Sequence, residues 1–299
     1  MNLKRDTYAI VDLDHLKYNV ELAHNEFKRP LMAVIKADAY GHGYKEVASF
    51  LKDIDYVEMF AVATLPEAIE LRELGIDKGI LILGAIPTSK KDIDLAIKYD
   101  ISLTMVSVDY LKLLENLIDE GQTLKVHIKL DTGMHRIGLM SKDELSTLLE
   151  LIDPNKFDVE GIFTHFATAD GDDEAFEKQR NLFYEMIGNC KFKYIHCCNS
   201  AAMTYHHDEK SNMGRLGITM YGCSPNGEEE TKFKQVMSLY TKVAMIKKIP
   251  AGDKVGYGLT YTAKEDEYIA TLPIGYADGL IRKNQGRKVY INGKYYEIV

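Results

Sequence analysis

Several lysine, arginine and histidine residues follow apolar runs of the sequence, where they could bind an anion or react with a carbonyl group. Lys36 comes directly after the apolar run 31–35. A lysine at such a position loses solvent, which lowers the pKa of its amine and suits Schiff-base chemistry with an aldehyde. The spacing also allows a simpler interpretation, in which the lysine only extends its ammonium group into solvent at a strand end.

A second set of polar residues accompanies the apolar run 126–130. Lys129 and Asp131 are two residues apart, so they point to the same face of a strand. The following loop carries Arg136, whose guanidinium group could hold a carboxylate or a phosphate. An internal salt bridge is the alternative, and the residues alone leave both interpretations open.

Three later positions add groups of the same kind. His165 follows another apolar run, although a single histidine there is often a core residue with satisfied hydrogen bonds. Asn199 and Ser200 precede an alanine-rich turn, where a helix N-terminus could bind phosphate. Gly217, close to Arg215, allows a ligand to approach the backbone. Together these residues suggest an anionic, phosphorylated ligand, such as an aldehyde cofactor.

The elements that must position these residues are short apolar runs separated by helical patterns. After an opening strand at 8–12, eight candidate strands lie at residues 31–35, 59–63, 80–83, 101–106, 126–130, 159–163, 194–197 and 217–221. Helical spacing is clear at 107–120 and 141–152, with Ser107 and Ser141 at the N-cap positions. Alternating strands and helices predict an α/β fold with parallel pairing, and eight repeats predict a (β/α)8 TIM-type barrel. A doubly wound open sheet is the competing architecture.

The pattern changes after about residue 233, where strand-like segments follow one another without a good helix between them. Asn292 and Gly293 give a strong hairpin signal within the last of these segments. We therefore predict a barrel domain at 10–233 and an all-β domain at 234–299, to which the N-terminal strand 1–9 is added. The sequence ends in an apolar strand pattern, so we expect the second domain to be incomplete.

Composition narrows the function classes. The 299 residues include 37 basic and 45 acidic side chains, a net charge of −8, which argues against a nucleic-acid partner. No apolar stretch reaches the length of about 18 residues that a membrane span needs. The four cysteines and the absence of a signal peptide indicate a cytoplasmic protein with reduced thiols. Cys197 and Cys198 lack a second ligand pair, so no metal site is expected.

At these same positions the sequence resembles the alanine racemase family, enzymes of fold type III that depend on pyridoxal 5′-phosphate. The similar motifs are AVIKADAYGHG at 33–43, KLDTGMHRIG at 129–138, THFA at 164–167, NSA at 199–201, RLGI at 215–218, VGYGLTY at 255–261 and PIGYADG at 273–279. They occur in the family order and extend over essentially the whole chain. The resemblance implies a homodimer with shared active sites, which interconverts L- and D-alanine and supplies D-alanine for peptidoglycan.

The resemblance also implies roles for individual residues in catalysis. Lys36 would bind the cofactor through a Schiff base and act as one of two catalytic bases. Tyr257 would be the second base, reaching the other face of the substrate from the partner subunit, with His165 as its neighbour. Removal and return of a proton on opposite faces is what racemisation requires. Arg136 would contact the substrate carboxylate, and Lys129 matches a family lysine that can be carbamylated to pair with that arginine.

The remaining implied roles concern cofactor binding and substrate access. Arg215 would face the pyridine nitrogen, and Tyr276 and Arg282 would line the substrate access path. The residues implied to bind the cofactor are Lys36, Tyr40, His165, Asn199, Ser200, Arg215, Gly217 and Ile218.

Two departures from the family pattern keep alternatives open. Gly256 stands where serine is common, and the family segment that continues the strand after Val299 is absent from this sequence. That segment contributes to the substrate pocket and to the dimer contact in the family. The alternatives are therefore a racemase of another small amino acid such as serine, and a chain that binds the cofactor without turnover. A related decarboxylase on the same fold is disfavoured by the residues around Tyr257.

Overall fold

The computed structural model describes residues 5–87, 89–206, 208–228 and 231–299, so residues 1–4 of the expected N-terminal strand lie outside it. Two compact units make up the chain. Residues 12–236 form the barrel unit, and residues 5–11 with 237–299 form the β-rich unit, as far as each is described. None of the helices in the described ranges combines the length and apolarity that a membrane span requires.

Eight parallel strands of the barrel unit, among its described residues, form a closed ring. The opening strand β1 (Tyr8–Val11) belongs to the β-rich unit, and the ring consists of β2 (Leu31–Val34), β3 (Val57–Val62), β4 (Gly79–Ile82), β5 (Leu103–Met105), β6 (Leu124–Lys129), β7 (Phe157–Phe163), β8 (Tyr194–His196) and β9 (Gly214–Leu216). The strands pair in the orders β4-β3-β2-β9 and β5-β6-β7-β8. A parallel bridge between Leu81 and Ser102 joins the two sheets on one side. On the other side, the Arg215 N–H donates to the Cys198 carbonyl (2.9 Å), which confirms the predicted barrel.

Helices connect successive strands and carry the N-caps that the sequence indicates. They are α1 (Leu13–Phe27), α2 (Lys36–Gly41), α3 (Tyr44–Leu51), α4 (Leu65–Glu73), α5 (Lys90–Lys98), α6 (Val108–Glu115), α7 (Lys142–Leu151), α8 (Asp173–Ile187) and α9 (Ser200–Tyr205). The side chains of Ser107 and Ser141 accept hydrogen bonds from backbone amides of the first turn, as predicted. In α6, Leu111 and Leu114 are buried, which places the apolar stripe against the barrel.

The predicted eighth strand at 217–221 is wrong. The strand β9 lies earlier, at Gly214–Leu216, and Ile218–Tyr221 forms a 3-10 helix. Gly217 has φ −116° and ψ −106°, a backbone conformation that interrupts the extended chain. Residues 219–221 of the run are buried, and Tyr221 donates its hydroxyl proton to the Val34 carbonyl (3.0 Å). Burial without alternation does not distinguish a short strand from a helical turn.

The barrel interior contains both apolar and polar side chains. A buried apolar cluster consists of Met32, Val34, Met59, Ala61, Leu81, Phe163, Tyr194 and Met213. Lys129, His127, His196 and Arg215 are also buried in this unit. Burying charged or polar groups costs free energy unless hydrogen bonds compensate. These four residues are therefore the positions at which a functional explanation is needed.

The β-rich unit consists of short antiparallel pairs. Its later strands are β10 (Met237–Tyr240), β11 (Met245–Ile249), β12 (Lys254–Val255), β13 (Tyr261–Thr262), β14 (Glu267–Thr271), β15 (Lys288–Ile291) and β16 (Lys294–Glu297). The pairs are β1–β10, β11–β14, β12–β13 and β15–β16. Asn292 and Gly293 both have positive φ and connect the last pair, so the predicted hairpin is confirmed.

Candidate active site

Lys36 lies at the carboxyl end of β2, where it begins a turn of unusual handedness. In α2, residues 37–40 all have φ between 51° and 55°, the left-handed region. Such a conformation costs about 1–2 kcal/mol for each residue that carries a β-carbon. The Asp38 carboxylate accepts a hydrogen bond from the Tyr44 backbone amide (2.9 Å) and closes the turn. Strained backbone of this kind is held at functional sites by the contacts around it.

Glu67, in the first turn of α4, holds the same turn, a role that the sequence reasoning missed. Its carboxylate accepts hydrogen bonds from the backbone amides of Ala37 (2.8 Å), Ala63 (2.8 Å) and Thr64 (3.1 Å). Thr64 and Glu67 also form a capping box at the start of α4. The spacing Thr-x-x-Glu is visible in the sequence, but it indicates only a helix start. The link to the residue after Lys36 appears only in three dimensions.

We predict that Glu67→Ala lowers the free energy of unfolding by about 1–3 kcal/mol, because the amides of Ala37, Ala63 and Thr64 lose a charged acceptor. Urea denaturation followed by circular dichroism measures this change. Glu150→Ala, at an exposed position of α7, is the control and should change stability by less than about 0.5 kcal/mol. Equal stabilities of the two variants would contradict this role for Glu67.

Hydroxyl groups and a backbone amide converge near Gly217. The Gly217 N–H donates to Ser200 Oγ (2.9 Å). A β-carbon at position 217 would lie 3.6 Å from that oxygen and 3.6 Å from the Tyr40 hydroxyl, so both hydroxyls face one small space. Burial raises the pKa of Tyr40, which keeps its hydroxyl protonated as a donor. This cradle can bind an anion such as a phosphate group.

Asn199 and Ile218 flank this cradle. The Asn199 side chain accepts a hydrogen bond from the Ala202 backbone amide (3.0 Å) and so caps α9, while its Nδ2 donates to the Phe166 carbonyl (3.4 Å). These bonds fix the position of Ser200, the first residue of α9. Ile218 begins the 3-10 helix after Gly217, and its side chain is exposed.

Arg215 is a buried cation held by backbone carbonyl groups. Its guanidinium group donates to the carbonyls of Thr164 (2.7 Å), Cys197 (3.2 Å) and His196. Burial lowers the pKa of Arg215 to about 10, so the group remains charged at neutral pH. Because these carbonyls fix its orientation, Arg215 can present a donor in a defined direction.

His165 lies next to this guanidinium group and is neutral. Burial, reinforced by the positive charges of Arg215 and Arg136, lowers the pKa of His165 to about 3. Arg215 Nη2 donates to His165 Nδ1 (3.4 Å), and arginine cannot accept a hydrogen bond. The proton of the neutral ring is therefore on Nε2, which makes this atom a hydrogen-bond donor.

Lys129 is only 2% exposed and has the most perturbed amine of the site. Its Nζ donates to the Leu130 carbonyl (2.5 Å). Burial lowers the pKa of Lys129 to about 7, with Arg215 and Arg136 lowering it further and Asp131 opposing them. A substantial fraction of neutral amine is therefore present near neutral pH, as nucleophilic reaction of a lysine requires.

The buried amine of Lys129 predicts a stability change with pH. The pKa of Lys129 in the folded chain lies below 10.5, the ordinary lysine value that applies to the unfolded chain. Between about pH 7 and 10.5 the unfolded chain therefore binds more protons than the folded chain, and the free energy of unfolding rises with pH. Relative to Lys129→Met, the native chain should gain up to about 1.4 kcal/mol per pH unit in this window. Urea unfolding in buffers without bicarbonate measures the difference. Lys91→Met, at an exposed position of α5, is the control, and a flat difference for Lys129→Met would contradict the prediction.

Arg136 is carried into the same region by the loop after β6. The Asp131 carboxylate accepts hydrogen bonds from the Gly133 (3.1 Å) and His135 (2.9 Å) amides and shapes this loop. The internal salt bridge that the sequence left open for Arg136 is not among the ion pairs of the described residues. The positive charge of the exposed Arg136 side chain instead lowers the pKa of Lys36, at the end of β2.

The charges around Lys36 favour an anionic ligand. Burial lowers the pKa of Lys36, the positive charge of Arg136 lowers it further, and Glu67 opposes both. Arg136, Arg215, Lys129 and Lys36 all lower the pKa of His165, so four cationic side chains surround one neutral imidazole. The barrel thus brings together the residues that the sequence places at separate strand ends. An amine of lowered pKa stands among groups that bind carboxylate or phosphate.

The other predicted residues lie together in the β-rich unit. Tyr257 is in the loop between β12 and β13 and is 76% exposed. The Arg282 guanidinium carbon lies 5.4 Å from the centre of the Tyr257 ring, and Arg282 Nε donates to the Tyr276 hydroxyl (3.0 Å). Gly256 has φ +77°, a conformation that the serine common at this place would adopt only with strain.

Comparison with known proteins places this arrangement in a family. Residues 11–225 match the family described as alanine racemase, N-terminal domain, and residues 236–299 match alanine racemase, C-terminal domain. The alanine racemase of Ligilactobacillus salivarius is 42% identical over 306 residues, which cover 99% of this chain and 82% of the relative.

Solved structures agree with this match. The crystal structure of alanine racemase from E. faecalis has a TM-score of 0.93 and 37% identity, covering 100% of this chain and 83% of that one. The histidine racemase of Leuconostoc mesenteroides has a TM-score of 0.87 and 28% identity, covering 99% of this chain and 82% of that one. The chain belongs to the alanine racemase family.

Proposed function

We propose that this chain is a pyridoxal 5′-phosphate-dependent racemase that interconverts L- and D-alanine. The observation that carries the proposal is the Lys36 amine, whose pKa is lowered and which stands among cationic groups at the end of β2. Family membership supports a racemase, an isomerase that acts on an amino acid. D-Alanine made in this way would supply peptidoglycan synthesis, and the free thiols suit a cytoplasmic location.

The residues of the barrel fit the three reactive parts of pyridoxal 5′-phosphate. Lys36 would hold the aldehyde carbon, since its amine is partly desolvated. The hydroxyls of Tyr40 and Ser200 and the backbone at Gly217 and Ile218 would hold the phosphate, with Asn199 fixing that end of α9. Arg215 would face the pyridine nitrogen, with His165 beside it. When bound, the cofactor would withdraw electrons from the substrate and acidify its α-proton.

A permanent cation beside the ring nitrogen would limit this electron withdrawal. Arg215 stays charged at neutral pH and only donates hydrogen bonds, so the nitrogen it faces would remain unprotonated. A weaker electron sink disfavours a long-lived carbanion. We therefore propose that Arg215 restricts side reactions such as transamination.

Two side chains would move the proton in a homodimer. Lys36 would exchange a proton with one face of the substrate α-carbon, and the partner subunit's Tyr257 would serve the opposite face. A tyrosine has an ordinary pKa of about 10, so it needs a donor or a cation to act as a base. The neutral His165, with its proton on Nε2, supplies such a donor in the proposed dimer.

Arg136 would orient the substrate through its carboxylate. A planar guanidinium group binds a carboxylate with two parallel hydrogen bonds, and Arg136 is the exposed cation at the site. Lys129, if carbamylated, would give Arg136 a negative partner on the barrel side. Carbamylation needs the neutral amine that a pKa of about 7 provides.

Alanine is the proposed substrate, with serine and histidine as competitors. The 28% identical histidine racemase has the same fold, so the fold alone does not select the side chain of the substrate. Chiral chromatography of reactions with L-alanine, L-serine and L-histidine, with pyridoxal 5′-phosphate added, tests this directly. We expect D-alanine to form with the highest kcat/KM of the three. Faster racemisation of serine or histidine would overturn the assignment to alanine, and visible absorbance without any turnover would support the inactive cofactor-binding alternative.

A further inference from the structure

A row of buried polar side chains leads from Arg215 through the barrel interior. Arg215 Nη1 lies 3.0 Å from His196 Nδ1, and His196 Nε2 lies 2.9 Å from His127 Nδ1. His127 Nε2 lies 3.7 Å from the Glu160 carboxylate, and that carboxylate oxygen accepts a hydrogen bond from Ser102 (2.7 Å). Both imidazole rings are 0% exposed. None of these residues except Arg215 is part of the proposed cofactor site.

The hydrogen bonds determine where each imidazole proton lies. Arginine only donates, so His196 Nδ1 must accept, and the proton of the neutral ring is on Nε2. That proton is donated to His127 Nδ1, which leaves the His127 proton on Nε2, directed at Glu160. Burial lowers the pKa of both histidines, which agrees with two neutral rings. All the donors in the row therefore point from Arg215 towards Glu160.

Two local features of β7 allow this arrangement. In the pairing with β6, Val126 lies opposite Val159 and His127 lies opposite Gly161, so Glu160 is the extra residue of a bulge. A bulge redirects the side chain that it carries. His127 and His196 lie on strands to either side of β7, and a β-carbon at Gly161 would lie 2.5 Å from His127 Nδ1. Glycine at 161 leaves the space in which the two imidazole rings meet.

The row ends at a carboxylate, that of Glu160, whereas the described groups that contact Arg215 directly carry no negative charge. Among the described residues, the hydrogen-bond acceptors of the Arg215 guanidinium group are backbone carbonyls and imidazole nitrogens. Burial alone would raise the pKa of Glu160, but two neighbours outweigh it and lower the pKa to about 2: the His127 ring, 3.7 Å away and beyond hydrogen-bond distance, and the hydrogen bond from Ser102. Glu160 is therefore a carboxylate at neutral pH. Aligned dipoles in a medium of low dielectric constant reinforce one another along such a row.

We propose that His196, His127 and Glu160 form a polarised relay that orients Arg215 towards the active site and supplies its counter-charge. These are positioning residues, which act on the cofactor only through Arg215. The effect on catalysis rests on the proposed function, because it requires Arg215 to face the pyridine nitrogen. The orientation of the imidazole protons does not depend on that function.

The first test is NMR of the full chain with ¹⁵N-labelled histidine, prepared without pyridoxal 5′-phosphate. His127→Gln and His196→Gln variants assign the two rings. We expect both rings to show a protonated Nε2 and an unprotonated Nδ1 from pH 6 to 8, with a ¹⁵N–¹⁵N coupling across the His196–His127 hydrogen bond. A protonated Nδ1 on either ring, or a fully protonated ring at neutral pH, would overturn the relay.

The second test uses Glu160→Gln, which keeps the shape of the side chain and removes its charge. With pyridoxal 5′-phosphate and alanine, we expect the number of transamination events per racemisation turnover to rise about tenfold, because Arg215 is less firmly oriented. Ser102→Ala should give a smaller rise, and Asp158→Asn, an exposed acid on the same strand, should give none. An unchanged ratio in a folded Glu160→Gln protein would overturn the positioning role. Absence of turnover in the native chain would instead refute the proposed function, and the NMR result would still decide the relay.

Discussion

Replacing Lys36 with alanine should lower kcat/KM for alanine racemisation by at least about 10⁴-fold. General acid–base catalysis by one group contributes about 10²–10⁴-fold, and Lys36 is also the proposed covalent anchor of the cofactor. The pKa of this amine is lowered by burial and by Arg136, and Lys36 is partly exposed whereas Lys129 is only 2% exposed, so Lys36 is the amine of the barrel site that a cofactor can reach. Coupled detection of D-alanine in the presence of saturating pyridoxal 5′-phosphate measures the change.

The matched control for this variant is Lys91→Ala, which removes an exposed lysine from α5. It should retain the native rate, and both variants should keep the circular dichroism of the native chain. The visible absorbance of lysine-bound pyridoxal 5′-phosphate should disappear only in Lys36→Ala. Retention of both the absorbance and the activity in that variant would place the reactive lysine elsewhere, and Lys129 would be the next candidate.

Tyr257→Phe should lower racemisation by about 10²–10⁴-fold, the contribution of one acid–base group. The two enantiomers of alanine should differ in α-proton exchange, since Lys36 would still exchange the proton on its own face of the substrate. In deuterated water we expect one enantiomer of alanine to keep exchanging its α-proton with retention of configuration, while the other does not exchange. Proton NMR of each enantiomer, followed separately, detects this difference.

Tyr268→Phe is the control, because Tyr268 is also an exposed tyrosine of the β-rich unit, on β14. It should leave exchange of both enantiomers unchanged. Equal exchange of both enantiomers in Tyr257→Phe would mean that a single base serves both faces. That result would refute the assignment of Tyr257 and, with it, the proposed sharing of the site between subunits.

The barrel was predictable because alternating apolar runs and capped helices repeat along the chain. The last strand was misplaced because the run 217–221 is short and mostly apolar, so its periodicity is uninformative. The conformation of Gly217 ends β9, and the hydrogen bond from Tyr221 to Val34 holds the end of the run inside the barrel unit. Neither the conformation of Gly217 nor the contact of Tyr221 can be read from the local sequence.

The candidate site was predictable in part. Cationic residues at strand ends indicate an anion site without any appeal to family resemblance, and the structure brings Lys36, Arg136 and Arg215 around His165. Glu67 was missed because its carboxylate accepts from the amide of Ala37, a residue 30 positions earlier in the chain. The sequence also gives no sign of the left-handed turn after Lys36, since no glycine occupies residues 37–40.

The relay behind Arg215 was hidden for a different reason. His127 lies within an apolar strand pattern, where a single polar residue is usually interpreted as an ordinary core residue. Its partner Glu160 faces it only because of a β-bulge, which is a property of strand pairing and not of one strand. The proximity of His127 and Glu160 is recognised only from the distance between their side chains in the folded structure.

The most direct test of the central claim is α-proton exchange of L- and D-alanine in deuterated water, with this chain and pyridoxal 5′-phosphate as the only catalyst. We predict that both enantiomers acquire deuterium at the α-carbon and converge on a racemic mixture. Cofactor absorbance without exchange would mean that the barrel binds pyridoxal 5′-phosphate while the second face of the substrate is not served. Absence of both would contradict the assignment of Lys36 and the racemase function built on it.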